Sequence, residues 1–356
     1  VSKLKSMNFF KGLGSYFDKV QRMRKIGGMI SDDLLISKEK VELLASICKT
    51  DLTSDLVGEF PELQGLMGGY FSQHQGFDKD ISLAISEQYL PIGLNSIVPK
   101  KPFSIALSIT DKIDTLVGFF GINEKPTSSK DPLALRRIAL GIIRTSIENK
   151  KNLKINDLLN YSSRLYDDQG YNLNNKDLQK ELYNFLKDRF RYYLKEKEIR
   201  YDIIEATLSS FSLNELFSSF EKAKCLNKVI KSQIGIDINS SYKRASNILD
   251  SEMKNNEIEI NDTTDPGIFK TDFEKNLYKK INEIKKYYSS INDDEDYVKS
   301  LSILAEIKKE VFEFFDNVKV NEENETLRKN RLELINMLCK TFQNYINFQM
   351  LKAHND

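Results

Sequence analysis

The sequence predicts an all-α protein, and three observations carry that reading. Apolar residues recur at three- and four-residue spacing through most of the chain, Ser and Asp stand as caps ahead of such runs, and no stretch alternates with period two for long. At 356 residues the chain fits two or three domains. An apolar fraction of 40% with 29% charged residues describes a globular protein. Net charge is only +1, so any nucleic-acid surface must come from local clustering rather than a global field. Cys48, Cys225 and Cys339 lie far apart without metal-ligand spacing and read as free thiols of a reducing cytoplasm. With two histidines, His74 and His354, a His-rich metal site is nearly excluded. No apolar run is long enough to span a bilayer. The chain starts at Val1, in what reads as helix, and is expected to be a piece of something longer.

The elements follow in order. Tyr16–Ile30 reads as an amphipathic helix on Phe17, Val20, Met23 and Ile30. Ser37 caps a second, with Val41, Leu44, Ala45 and Cys48 at helical spacing continuing through Leu52, Leu56 and Val57 until Pro61. Gly65, Gly68 and Gly69 then predict close helix packing or a turn near His74. Asp80–Leu90 is a helix stopped by Pro91. A Pro/Gly loop runs to Pro102, and an apolar helix carrying Asp111 and Asp114 follows.

The segment Lys130–Arg144, KDPLALRRIALGIIR, has Asp131 to accept from open N–H groups and Pro132 suited to the first helical position. On its wheel Arg136 points into the arc of Leu135, Ile138, Ala139, Ile142 and Ile143. Arg137 shares a narrower stripe with Gly141, Arg144 and Glu148. Arg136 is therefore expected to be a buried strut paired with Asp111 or Asp114. Arg137 and Arg144 flank a glycine that would admit another backbone or a phosphate.

From Asn156 the chain stays helical. Lys187–Arg200 interleaves basic and aromatic residues but reads as an amphipathic helix with Phe185, Leu186, Phe190, Tyr193 and Leu194 inward. Ser209–Gly235 is a helical connector, Asp250–Asp265 an exposed loop, and three further helical runs follow. The expected domains are 1–150, 151–235 and 236–356.

Several of these stretches are similar to one family. KDPLALRRIALGIIR resembles the signature of the β subunit of the bacterial two-subunit glycyl-tRNA synthetase. So do DLTSDLVGEFPELQGLMGGYFSQHQG, EQYLP, DKIDTLVGFFGINEKPTSSKDPLALRR and, near the end, FFDNVKVN with LRKNRLELINML. The matches fall in one order along almost the whole chain, and the resemblance implies that the amino-terminal half of the full subunit is not in this sequence. Residues 1–150 resemble the HD superfamily of metal phosphohydrolases in degenerate form. ICKTDL stands where the His-Asp doublet belongs, leaving Asp51, His74 and Asp111 as the degenerate positions and no metal expected. SSYKRASNIL, near Ile238, resembles the start of a DALR-type anticodon-binding bundle.

The resemblance implies a tRNA-binding part of a heterotetrameric glycine–tRNA ligase of two α and two β subunits in the cytoplasm. Its partners would be tRNA-Gly and the α subunit. Activation of glycine, with ATP and Mg, would belong to α, so this piece would hold no catalytic residue and no cofactor. P-loop, HIGH and KMSKS types of ATP motif are indeed absent from the sequence. An RNA-holding module needs cations at phosphate spacing and polar groups for unstacked bases. The candidates are Arg137 and Arg144 in the first part, and Lys243, Arg244, Asn247, Lys319, Lys329 and Asn330 in the last. Arg328 and Arg331 fall on the apolar side of their helix and are expected to be paired, with Asp316 or Glu313. Two other classes fit more loosely: an HD-type phosphohydrolase and a helical scaffold that binds only protein.

Overall fold

The computed structural model describes residues 1–93, 95–127, 130–255, 260–290 and 296–351; His354 and part of the Asp250–Asp265 segment lie outside them. Among the described residues the regular structure is helical apart from a small antiparallel hairpin, β1 (Asn8–Phe10) with β2 (Gly14–Ser15). The expected all-α class holds. The chain nevertheless opens on a 3-10 turn and this hairpin instead of a helix. Gly12 and Gly14 take positive φ at the turn, and Phe9 packs tilted and Phe10 edge-on against Phe119.

The chain divides into two compact units, residues 1–193 with 212–218, and 194–211 with 219 onward. The segment 151–235 is shared between them. The first unit holds α1 (Tyr16–Leu34), α2 (Lys38–Ile47), α3 (Asp55–Glu59), α4 (Leu66–His74), α5 (Lys79–Glu87), α6 (Pro102–Gly121), α7 (Leu135–Glu148), α8 (Ile155–Asp168) and most of α9 (Leu178–Glu196). The periodic run after Ser37 is two helices, because Ser54 restarts the chain by accepting from the Val57 N–H at 3.3 Å.

α6 is the axis of this unit. Every residue from Ser104 to Gly121 is buried, with α1, α5, α7 and α8 packed around it. A helix hidden on all sides should be apolar all round. This one is not, and its Asp111, Lys112, Asp114 and Thr115 need partners inside the protein. Gly118 brings α8 close: a Cβ there would overlap the Tyr166 hydroxyl and stand 3.0 Å from Leu13 Cδ1.

The second unit holds α10 (Tyr201–Ser209), most of α11 (Leu216–Val229), α12 (Gln233–Asn255), α13 (Asp272–Ser290), α14 (Tyr297–Ala305), α15 (Lys308–Asn317) and α16 (Glu325–Gln343). α12 runs unbroken through Ile238, and α14 and α15 are separated at Glu306–Ile307. α12 and α13 both pack on α16, and Tyr242, Phe342 and Phe348 form a ring cluster in the core. All three cysteines are buried free thiols, and burial pushes Cys48 and Cys339 up to about 12, out of reactive range.

Candidate nucleic-acid interface and the buried charge cluster

The polar residues of α6 are answered chiefly by α1. Lys19, Arg22, Met23, Ile26 and Ile30 lie on one face of α1, and that face is buried. Arg22, 1% exposed, donates from Nε to Asp114 Oδ1 at 2.6 Å and from Nη2 to Oδ2 at 3.2 Å. Its Nη1 reaches Gln169 at 2.7 Å, and its plane stacks on Tyr166 at 3.7 Å. Lys19 Nζ bridges Asp114 at 3.1 Å and Asp111 at 3.2 Å. Lys49, buried at the end of the α2 turn, adds a second ammonium 2.9 Å from Asp111 and donates to the Tyr89 hydroxyl at 3.1 Å.

Burial pushes the Asp111 and Asp114 carboxyls up, but the adjacent cations outweigh it. Lys19 and Lys49 hold Asp111, and Arg22 with Lys19 holds Asp114, below the usual carboxylate value of 3.8. Lys112 has no carboxylate in bonding range among the described residues. It donates to Leu90 O at 2.7 Å and Ser108 Oγ at 2.8 Å, and burial lowers it to about 7 despite the nearby Asp111.

The degenerate HD-like positions do not converge. Asp51 is buried and accepts from the Gly65 N–H at 2.6 Å, which ties down the entry to α4. His74 is exposed at the end of α4, and Asp111 is held between two lysines. Among the described residues no group of three His, Cys, Asp or Glu side chains is placed to hold a metal ion. Asp111 is a charge-balanced strut, and Asp51 is a backbone anchor.

The expected pairing of Arg136 is corrected. Arg136 is half-buried and donates to the Thr127 carbonyl, and the guanidinium on Asp114 is Arg22. α7 starts at Leu135, three residues after Pro132, with Ala134 in the left-handed region. Asp131 still accepts from the first helical N–H groups, those of Leu135 at 2.8 Å and Arg136 at 3.0 Å. Pro132 therefore sits in the lead-in turn. Arg136 therefore lies in the first turn of α7, beside the lead-in loop that supplies its partner Thr127.

Arg137 is exposed, with no partner among the described residues. Arg144 donates to Gly93 O and Ser96 O, both at 2.8 Å, and pairs with Glu148 at 2.8 Å, so its fork fastens the loop before α6. The space at Gly141 is filled from within: a Cβ there would stand 2.8 Å from Lys112 Cε and 3.6 Å from Pro91. It admits a lysine stem, where the sequence suggested another backbone or a phosphate.

In the second unit the candidates also separate by surroundings. Lys243 and Lys329 are half-buried, and Asn247 and Lys319 are exposed. None of these four side chains makes a hydrogen bond or ion pair among the described residues, so their polar groups are available. Arg244 pairs with Asp316 at 2.6 Å and lies over Phe312 and Phe315. Asn330 is buried: its Oδ1 accepts from Thr264 Oγ1 at 2.8 Å and the Asp265 N–H at 2.7 Å, and its Nδ2 donates to Asp265 O at 3.0 Å. It locks the segment ahead of α13. Arg328 and Arg331 are paired as expected but with other partners, Glu252 and Glu274. Asp316 is already taken by Arg244.

The sequence reading missed Lys19 and Arg22 because it counted them as the polar side of α1. The signal was present. Residues 19, 22, 26 and 30 follow helical spacing and put both cations on the buried stripe.

Residues 1–209 match the profile of a family described as glycyl-tRNA synthetase beta subunit, and residues 238–353 match the DALR anticodon binding domain. The glycine–tRNA ligase beta subunit of Rickettsia canadensis is 38% identical over 353 residues, covering 99% of this chain and 50% of the relative. The same subunit of Rickettsia felis is 36% identical, covering 98% and 49%, and that of Cereibacter sphaeroides 33%, covering 95% and 48%. The chain spans about half the length of the curated relatives it matches.

Proposed function

Because the chain belongs to the glycyl-tRNA synthetase beta-subunit family, we propose that it is a tRNA-holding part of a glycine–tRNA ligase. In this reading residues 236–356 meet the anticodon, residues 1–150 meet the acceptor arm, 151–235 connect them, and a separate α subunit activates glycine with ATP and Mg in the cytoplasm. The match of residues 238–353 to an anticodon-binding domain carries the reading. The available Lys243, Asn247, Lys319 and Lys329 side chains, all within that match, support it. Cations of this kind position RNA through phosphates, and an amide such as Asn247 reads base edges.

The buried ion pairs weigh against a phosphohydrolase. A carboxylate clamped between Lys19 and Lys49 is already neutralised and has no charge left for a cation. No described helix is long and apolar enough to cross a membrane.

Fluorescence titration with tRNA-Gly and unrelated tRNAs, alone and with the α subunit added, tests the proposal. The expected result is preferential binding of tRNA-Gly that weakens as salt rises. Equal affinity for every tRNA would sink the anticodon assignment, and no binding of any tRNA would leave the protein-binding scaffold as the better reading.

A further inference from the structure

The outer face of the α4–α5 pair carries a feature that the charge cluster does not use. Leu66, Tyr70 and Gln73 of α4 and Lys79 and Leu83 of α5 line an open cleft of about 310 Å³. That volume lies at the low end of small-ligand sites, enough for one nucleotide. The cleft has a firm floor. Gly69 lets α5 approach so closely that a Cβ there would overlap Ser86 Oγ, and Ser72 donates to Ser82 across the helices at 2.9 Å. Above that floor Tyr70 is 60% exposed and Leu66 45%. The Gln73 amide and Lys79 ammonium are exposed, with no hydrogen-bond or ion-pair partner among the described residues.

An aromatic face, an amide and a free ammonium around a one-base cleft are the elements that bind an unpaired nucleotide: stacking, edge hydrogen bonds and phosphate charge. We propose that this cleft holds one base of the unpaired 3′ strand of the tRNA, stacked on Tyr70 with its phosphate toward Lys79. The inference rests on the tRNA-holding reading above. The source follows from that reading: residues 1–150 meet the acceptor arm, and the unpaired part of that arm is its 3′ strand. A site for a single base leaves the rest of that strand free to enter a separate activation site. It also moves the acceptor contact away from Arg144 and Gly141, whose contacts lie within the protein.

The chain contains no tryptophan, so Tyr70→Trp places a single indole reporter in the cleft. The variant is titrated with intact tRNA-Gly and with tRNA-Gly lacking its unpaired 3′ strand, while a gel shift measures binding independently. Intact tRNA should quench the emission, and the shortened tRNA should shift without quenching. Tyr70→Ala should weaken binding of intact tRNA about fivefold or more and leave the shortened tRNA unchanged. Quenching by both RNAs, or by neither while both shift, overturns the assignment of the cleft. Failure of both RNAs to shift overturns instead the tRNA-holding reading on which it depends.

Discussion

Arg22 and Arg136 show how far a single residue can be read. In sequence Arg136 looked like the buried arginine and Arg22 like a surface one, yet Arg22 is the one that is buried. Replacing Arg22 with Met leaves Asp114 to Lys19 alone in the core and should cost about 3–5 kcal/mol of stability. Arg136→Ala loses one partly exposed bond to Thr127 and should cost about 1 kcal/mol or less. Urea unfolding of both variants checks the contrast, and equal losses would contradict it. Proton linkage gives a second test at this scale. Asp111 and Asp114 are held below 3.8, so their stabilisation is present above about pH 4 and is lost as the pH falls through their folded values. Lys112 has the opposite shift for its type, from 10.5 down to about 7. Between those values the unfolded chain binds the extra proton, so raising the pH from 7 toward 10 adds stability through this group. The Lys112→Met variant should lose that part of the slope when unfolding is followed across this range; an unchanged slope would show that Lys112 does not titrate there.

At the scale of elements, periodicity located α1, α5, α6 and α7 because it reports which face is buried. It did not report the partner on that face. Asp111 and Asp114 were legible as structural groups, yet Lys19 and Arg22 stand some ninety residues away in sequence, where no local spacing can point. The start of α7 was misplaced for a related reason: Asp131 caps the helix across a three-residue turn, a geometry that the Asp-Pro pair alone does not distinguish from a direct cap. Close approach of helices is testable here. Gly118→Ala gains about 1 kcal/mol of helix propensity. It also forces the Tyr166 hydroxyl out of its bonds to Arg22 and Asp114. Overpacking of this kind costs about 1–3 kcal/mol, so a net loss is expected, and a melting temperature at or above the parent's would mean that α8 shifts freely. In the second unit Asn330→Ala should destabilise by about 1–3 kcal/mol, because the Asp265 N–H loses its acceptor and the Asp265 carbonyl its donor, while the Thr264 hydroxyl keeps the residue-330 carbonyl. Wheel position alone had offered Asn330 to the RNA.

For the whole molecule, the residues that looked most functional in sequence are largely those that hold the protein together. Arg144, Arg244, Asn330, Asp51 and Asp111 each have internal bonds, while Arg137, Lys243, Asn247, Lys319 and Lys329 remain available to a partner. A chain with a net charge of +1 can hold RNA only through such local sets. Lys243→Gln and Lys329→Gln should each weaken tRNA binding and reduce the salt dependence by about one counterion, with melting unchanged. The most direct test of the account compares tRNA-Gly with the same tRNA carrying a substituted anticodon, titrated into this chain at low and physiological salt. The account predicts tighter binding of the natural anticodon at both salts, with both affinities falling as salt rises. Indistinguishable affinities for the two RNAs would contradict it.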